Sequence, residues 1–413
     1  MPIHPLMRRS RAVPLCLAAA LFAFPAGAGA IAPPGAPGCS VFPSDNVWHS
    51  DISKLPVHAR SAAWLASMDG ASTDLHPDFG SSGEPMPYGI PYTVVAASHP
   101  DVPVDFYYPD ESDPGPYPFG EDTPIEGGSD RHAIMIDKST CTLYELFDAE
   151  YASGGNSTAG SGAIWNLKSN ALRPAGWTSA DAAGLPIFAG LVRIDEVKAG
   201  KVDHAIRMTA QQTDTSYVWP ARHHAGAANN KNLPPMGARF RLKASYSTNG
   251  FRSDTKAILA AMKKYGMILA DNGSDWYFTG AASDDWSNDM LDELKTVPAS
   301  AFEAVDASSL MISPNSGKAK QASGPPPAPA PSSSSPKSKP KPTVTPSPTP
   351  TPEVVEATSS PTATTTPSAS PSVAVAADIR EETGPLGWWP WALVALLTAA
   401  AVVVKRYLLG REG

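Results

Sequence analysis

The chain of 413 residues carries 32 Lys and Arg against 40 Asp and Glu, a formal net charge of −8 at pH 7, with 44 prolines and 3 cysteines. The negative balance, without a basic stripe interleaved with aromatics, excludes nucleic acid as a partner. So few cysteines also exclude a structural zinc site built from thiolates alone.

From the N-terminus, Arg8, Arg9 and Arg11 precede the apolar run 15–24 and the small residues Ala28, Gly29 and Ala30. This is the layout of an export signal, and it predicts a cleaved signal peptide over 1–30 and a secreted protein. The run is shorter than the ~20 residues that span a bilayer. Cys39 follows Ala36, Pro37 and Gly38, without the bulky aliphatic residue of a lipid-attachment signal. Loss of Cys16 with the signal leaves Cys39 and Cys141, an even pair that predicts a disulfide in an oxidising compartment.

A helix is expected over 57–68 with Trp64 and Leu65 inward, and a long irregular loop over 109–128. Strand patterns follow over 131–137, 141–148, 202–209 and 238–246. Ile258, Leu259, Met262 and Tyr265 share a face of a helix predicted over 255–265, which Gly266 ends. The runs 267–270 and 276–279 flank Asp271, Asn272, Gly273 and Ser274 and predict a hairpin, and 285–294 is a further helix. Together these elements predict one domain over 31–312 that is mainly β: a twisted β-sandwich, jelly-roll-like, with a few peripheral helices. No glycine-rich phosphate loop opens a helix after a strand, which disfavours a dinucleotide fold.

Residues 313–385 are rich in Pro, Ser and Thr, a composition that cannot bury enough apolar area to offset chain entropy, so a disordered stalk is expected. The apolar segment 386–404 has Trp388, Trp389 and Trp391 at one end and Lys405 and Arg406 beyond the other. It predicts a single transmembrane helix, with 405–413 cytoplasmic and the domain at the cell surface.

The central runs SNALRPAGWTSADAAGLPIFAGLVRIDEV, HAIRMT, YVWPARHHAG, PPMGARFRLKAS and KKYGMILADNGSDWYFTG resemble an uncharacterised extracytoplasmic domain found in secreted and surface proteins of soil bacteria. The similarity spans roughly 39–306 and carries no catalytic residue with it. It implies a portable extracytoplasmic module related to polysaccharide-processing proteins.

Candidate chemistry starts from the tripeptide His-Ala-Ile, which occurs at His132 and again at His204. Strand alternation sets each imidazole among aliphatic neighbours, where it is either a packed, hydrogen-bonded residue or a proton-transfer group. Glu145, between Leu143 and Phe147, is the leading acid, because desolvation raises a carboxyl pKa. The alternative for it is an ion pair with Arg207 or Arg239. Asp137 and Asp148 are the candidates for a second carboxylate. The segment holding Trp219, Arg222, His223 and His224 combines stacking and charged groups suited to a sugar polymer, uronates included. Arg239 and Arg241 share a strand face that is either the solvent side or a wall for an acidic glycan. No spacing for a metal site is found, and no cofactor is expected. The expected function is a carbohydrate-active enzyme, a polysaccharide hydrolase or lyase, acting on extracellular or envelope glycan. The alternative is a non-catalytic module binding glycan or protein. Convergence of His132 and His204 with a carboxylate in a groove favours the enzyme, and their burial apart favours the binder.

Overall fold

A computed structural model of the chain describes residues 31–83 and 86–320. The expected signal peptide, the stalk beyond 320, the membrane helix at 386–404 and the tail all lie outside the described residues. Among the described residues no helix is long and apolar enough to cross a membrane. The expected single-pass anchor is not found among the described residues, and membrane attachment is carried no further.

The first part of the chain forms α1 (Ser61–Ser67), β1 (His76–Asp78), β2 (Thr93–Val95) and β3 (Val104–Phe106). Next come β4 (Ala133–Asp137), β5 (Thr142–Phe147), β6 (Ser157–Ala159), β7 (Ser161–Asn166), α2 (Ile194–Lys198) and β8 (Ile206–Ala210). The last part forms β9 (Arg239–Leu242), α3 (Ser253–Lys264), β10 (Met267–Asn272), β11 (Tyr277–Thr279), α4 (Asn288–Leu294) and β12 (Phe302–Val305). In α3, Ile258, Leu259 and Met262 are buried. Gly266 then turns the chain at φ +70°, where a side chain would strike the Phe240 carbonyl oxygen at 2.3 Å.

These strands build open mixed sheets and no closed sandwich or barrel. A six-stranded sheet has the order β1-β11-β8-β10-β9-β12, a four-stranded sheet the order β2-β4-β5-β7, and β3 pairs with β6. The pairs β1/β11, β8/β10, β2/β4 and β3/β6 are parallel. Together with the packed helices this is a mixed α/β architecture, and the jelly-roll expectation is corrected accordingly. Its physical source is clear in the expected hairpin: β10 and β11 do not pair, because β8 lies between them. The turn crosses the end of β8, with Gly273 N–H donating to Ala210 O at 3.1 Å.

The four-stranded sheet is covered on both faces. Ile134, Ile136, Leu143 and Trp165 join the main core, whereas Ala133, Met135 and Leu146 pack with Val104, Tyr117 and Phe119 in a second one. Alternation along β4 and β5 sorts the two sets. Cys39 and Cys141 are disulfide-bonded, with Cα atoms 5.2 Å apart, and tie the N-terminal segment to the start of β5.

Candidate functional site

Alternation also divides the six-stranded sheet. Pro77, Ile206, Met208 and Phe278 are buried on one face. The opposite face carries His76 and Asp78 from β1, Tyr277 and Thr279 from β11, and Arg207 and Thr209 from β8. Strand register sets His76 beside Tyr277 and Asp78 beside Thr279, and sets Asp271 beside Thr209. Neighbouring strands lie roughly 4.8 Å apart, so these side chains form one continuous polar field. The His76 and Tyr277 rings stack with centroids 3.9 Å apart.

Arg207 is the centre of this field. Its Nε and Nη2 donate to the two oxygens of Asp181, both at 2.8 Å, its Nη1 to Thr279 Oγ1 at 2.9 Å, and its Nη2 also to Asp271 Oδ2 at 2.9 Å. Burial works against the guanidinium charge, but Asp181 and then Asp271 outweigh it and push the Arg207 pKa up. Two carboxylates meeting at one nitrogen compete for ionisation. The Asp271 carboxyl, 22% exposed, is the member whose pKa rises, through burial and the charge of Asp181, with Arg207 opposing.

Two hydrogen-bonded pairs flank the field. Tyr88 donates its hydroxyl to Asp78, and partial burial followed by that carboxylate pushes the phenol up. His132 Nδ1 lies 2.5 Å from Glu126 Oε2. Burial alone would lower this imidazole, but the bond to Glu126 and its charge outweigh burial and raise it. His132 Nε2 is buried without a partner. Glu126 stands close enough to Tyr88 and Arg207 for its charge to raise both, and His132 acts on Asp271 in the same way with opposite sign. Asp181, Asp271 and Glu126 thus gather at one arginine, with His132 on Glu126 and the Tyr88–Asp78 pair beside Thr279.

Of the residues singled out by sequence, only His132 belongs to this set. Glu145 is fully buried and accepts from Trp165 Nε1 at 3.0 Å, Ile187 N at 3.2 Å and Phe188 N at 2.8 Å. Its partners are these donors and neither Arg207 nor Arg239, and burial pushes its pKa up to about 7. His204 is buried in a different network, with Nδ1 2.7 Å from Ala205 O and Nε2 3.1 Å from Glu196 Oε2. The two histidines of the repeated tripeptide share no partner.

Asp137 caps the turn after β4, accepting from Ser139 and Thr140. Asp148 forms a corner with φ +50°, and its N–H donates to Asp130 O at 2.8 Å. The partly buried Trp219 donates through Nε1 to Ser316 O at 2.9 Å, and the buried Arg222 donates to Arg173 O, Pro314 O and Asn315 Oδ1. His223 and His224 stack with centroids 5.3 Å apart, and His223 Nδ1 lies 2.9 Å from Ala182 O. Arg239 and Arg241 do not face solvent. Both lie under residues 47–55, donating to Val47 O and to Ile52 O and Leu55 O respectively.

The sequence reading missed Asp78, Tyr88, Glu126, Asp181 and Asp271 as site groups. Asp271 was assigned to a turn, and only the parallel pairing of β10 with β8 sets it beside Arg207. Among the described residues no group of three or more His, Cys, Asp or Glu side chains is placed to hold a metal ion. The fold and site define an open-sheet α/β protein with an acid-rich polar field on its larger sheet. Comparison with known families, curated proteins and solved structures finds no match to the chain.

Proposed function

We propose that the chain is a polysaccharide hydrolase whose acid and base stand on the polar face of the six-stranded sheet. The observation that carries this reading is the gathering of two partly exposed carboxyl groups around the Arg207 cluster: Asp271, bonded to Arg207 and raised in pKa by burial and Asp181, and Glu126, held by His132. Asp271 would give its proton to the glycosidic oxygen as the bond to the anomeric carbon breaks. Glu126 would take a proton from the water that attacks that carbon, with His132 holding the carboxylate. Carboxylates also stabilise the positive charge that develops on the sugar ring. The stacked His76 and Tyr277 rings and the half-exposed Tyr88 offer surfaces for sugar packing. Elimination from a uronate is less well served, since it needs a free cation for the uronate carboxylate and Arg207 is already bound by two aspartates.

A glycan-binding module without turnover is the second reading. It is favoured by the burial of Glu145, His132 and His204, at 0%, 2% and 3% exposure, in separate networks. The test is release of reducing ends from neutral, amino-sugar and uronate polysaccharides, with absorbance of unsaturated sugars followed in parallel. Hydrolysis lowered about 100-fold or more in Asp271→Asn and in Glu126→Gln supports the proposal. Retention on a polymer without product supports the binding module, and ultraviolet-absorbing product from a uronate polymer means elimination.

A further inference from the structure

We infer that Asn249 is a site of spontaneous deamidation, and that Asn272, in the other Asn-Gly pair of the chain, is held by its bonding against the same reaction. The chemistry needs no enzyme. The backbone nitrogen of the following glycine attacks Cγ of the asparagine and closes a cyclic succinimide, while Nδ2 leaves as ammonia with the proton that the backbone nitrogen gives up. Water then opens one imide carbonyl or the other. One product is aspartate, and the other is isoaspartate, whose main chain runs through the side-chain carbonyl carbon. The step is favoured by an unengaged backbone N–H, by a side-chain amide free to turn, and by the lack of a side chain beside the attacking nitrogen.

Residues 248–251 supply all of these. Asn249 and Gly250 are exposed and form the central pair of a turn closed by Phe251 N–H, which donates to Thr248 O at 3.4 Å, a bond long enough to open readily. Asn249 is bonded through its main-chain N–H to Ser247 Oγ at 3.3 Å. Among the described residues neither its side-chain amide nor the Gly250 N–H has a hydrogen-bond partner. Gly250 turns at φ +92°, with nothing within 4 Å of the place a Cβ would take.

Asn272 and Gly273 are also exposed, so bonding and not exposure separates the two pairs. Asn272 Oδ1 accepts from Thr213 Oγ1 at 2.9 Å, its Nδ2 donates to Ala225 O at 2.9 Å, and the Gly273 N–H donates to Ala210 O at 3.1 Å. The amide is pinned at both ends, and the attacking nitrogen is engaged with β8. Deamidation here would add a carboxylate next in sequence to Asp271.

The test is incubation of the full chain in mildly alkaline buffer, then proteolysis and mass spectrometry of the two Asn-Gly peptides, with isoaspartate separated from aspartate by chromatography. In the folded chain Asn249 should convert and Asn272 should lag at least about tenfold, because its side-chain bonds and the Gly273 bond must open first. In concentrated urea the two should convert at similar rates. Thr213→Val should narrow the gap in the folded chain, and Asn249→Gln should abolish conversion at 249, since the longer side chain closes its ring far more slowly. Equal rates in the folded chain, faster loss at Asn272, an unreactive Asn249, or a gap that survives in urea would each overturn the inference.

Discussion

The Glu145 carboxylate accepts from two backbone N–H groups of the 187–188 segment and from the Trp165 indole, which joins β5 and β7 to the layer above them. Three donors do not compensate fully for the loss of water, so its pKa lies near 7 instead of in the ordinary carboxylate range. The folded state thus holds this proton more tightly than the unfolded chain. The associated stability is fully present below the unfolded pKa of about 4.5 and is lost as pH rises through about 7. Glu145→Gln carries a permanently neutral group, so its urea stability should gain on the parent between those pH values and run parallel above them. Equal pH slopes for parent and variant would disprove the assignment. Apolar neighbours at Leu143 and Phe147 made the upward shift legible in sequence. The donors from 187–188 were not legible, because nothing local announces where a distant segment returns.

At the scale of elements, β8 carries the most information. It lies between β11 and β10, antiparallel to the first and parallel to the second, and delivers Arg207 to partners from three separate segments. Removing a buried partner of such a cluster leaves uncompensated charge, at a cost of roughly 3–5 kcal/mol. Arg207→Met should lose stability of that order in urea unfolding, and Arg207→Met combined with Asp181→Asn should recover part of it. A double variant as unstable as the sum of the two single ones would mean that the groups do not interact. Helices were read closely from apolar spacing: 255–265 against Ser253–Lys264, and 285–294 against Asn288–Leu294. Several strands were also located to within a few residues. Their partners were not, since a parallel neighbour such as β8 for β10 is separated in sequence by β9 and α3, and period-two alternation says nothing about who pairs with whom. The acid-rich field escaped notice for that reason.

For the whole molecule, two long-range ties close the structure around the sheets. One is the disulfide between Cys39 and Cys141, separated by 102 residues. A loop of that size stabilises by roughly 2–5 kcal/mol, so replacing both cysteines by serine should cost about that much. The other is the segment 313–320, which composition assigns to the stalk but which is bonded into the domain. Gly317 accepts from Val47 N–H and donates to Asn170 O, both at 2.7 Å. Trp219 and Arg222 reach Ser316, Pro314 and Asn315 from the other side. A polar sequence with Ser, Pro and Gly resembles a linker because its own side chains bury little, yet here its backbone supplies partners that buried donors elsewhere require. Ending the chain after Lys320 should leave urea stability unchanged. Ending it after Ile312 strands the Arg222 guanidinium, the Trp219 indole and the Val47 N–H, each worth roughly 1–3 kcal/mol when left unsatisfied. The shorter chain should therefore be less stable by at least about 3 kcal/mol, comparable to the loss of the disulfide. If both truncations unfold at the same urea concentration, the segment is not a structural tie, and the domain ends where composition alone would end it.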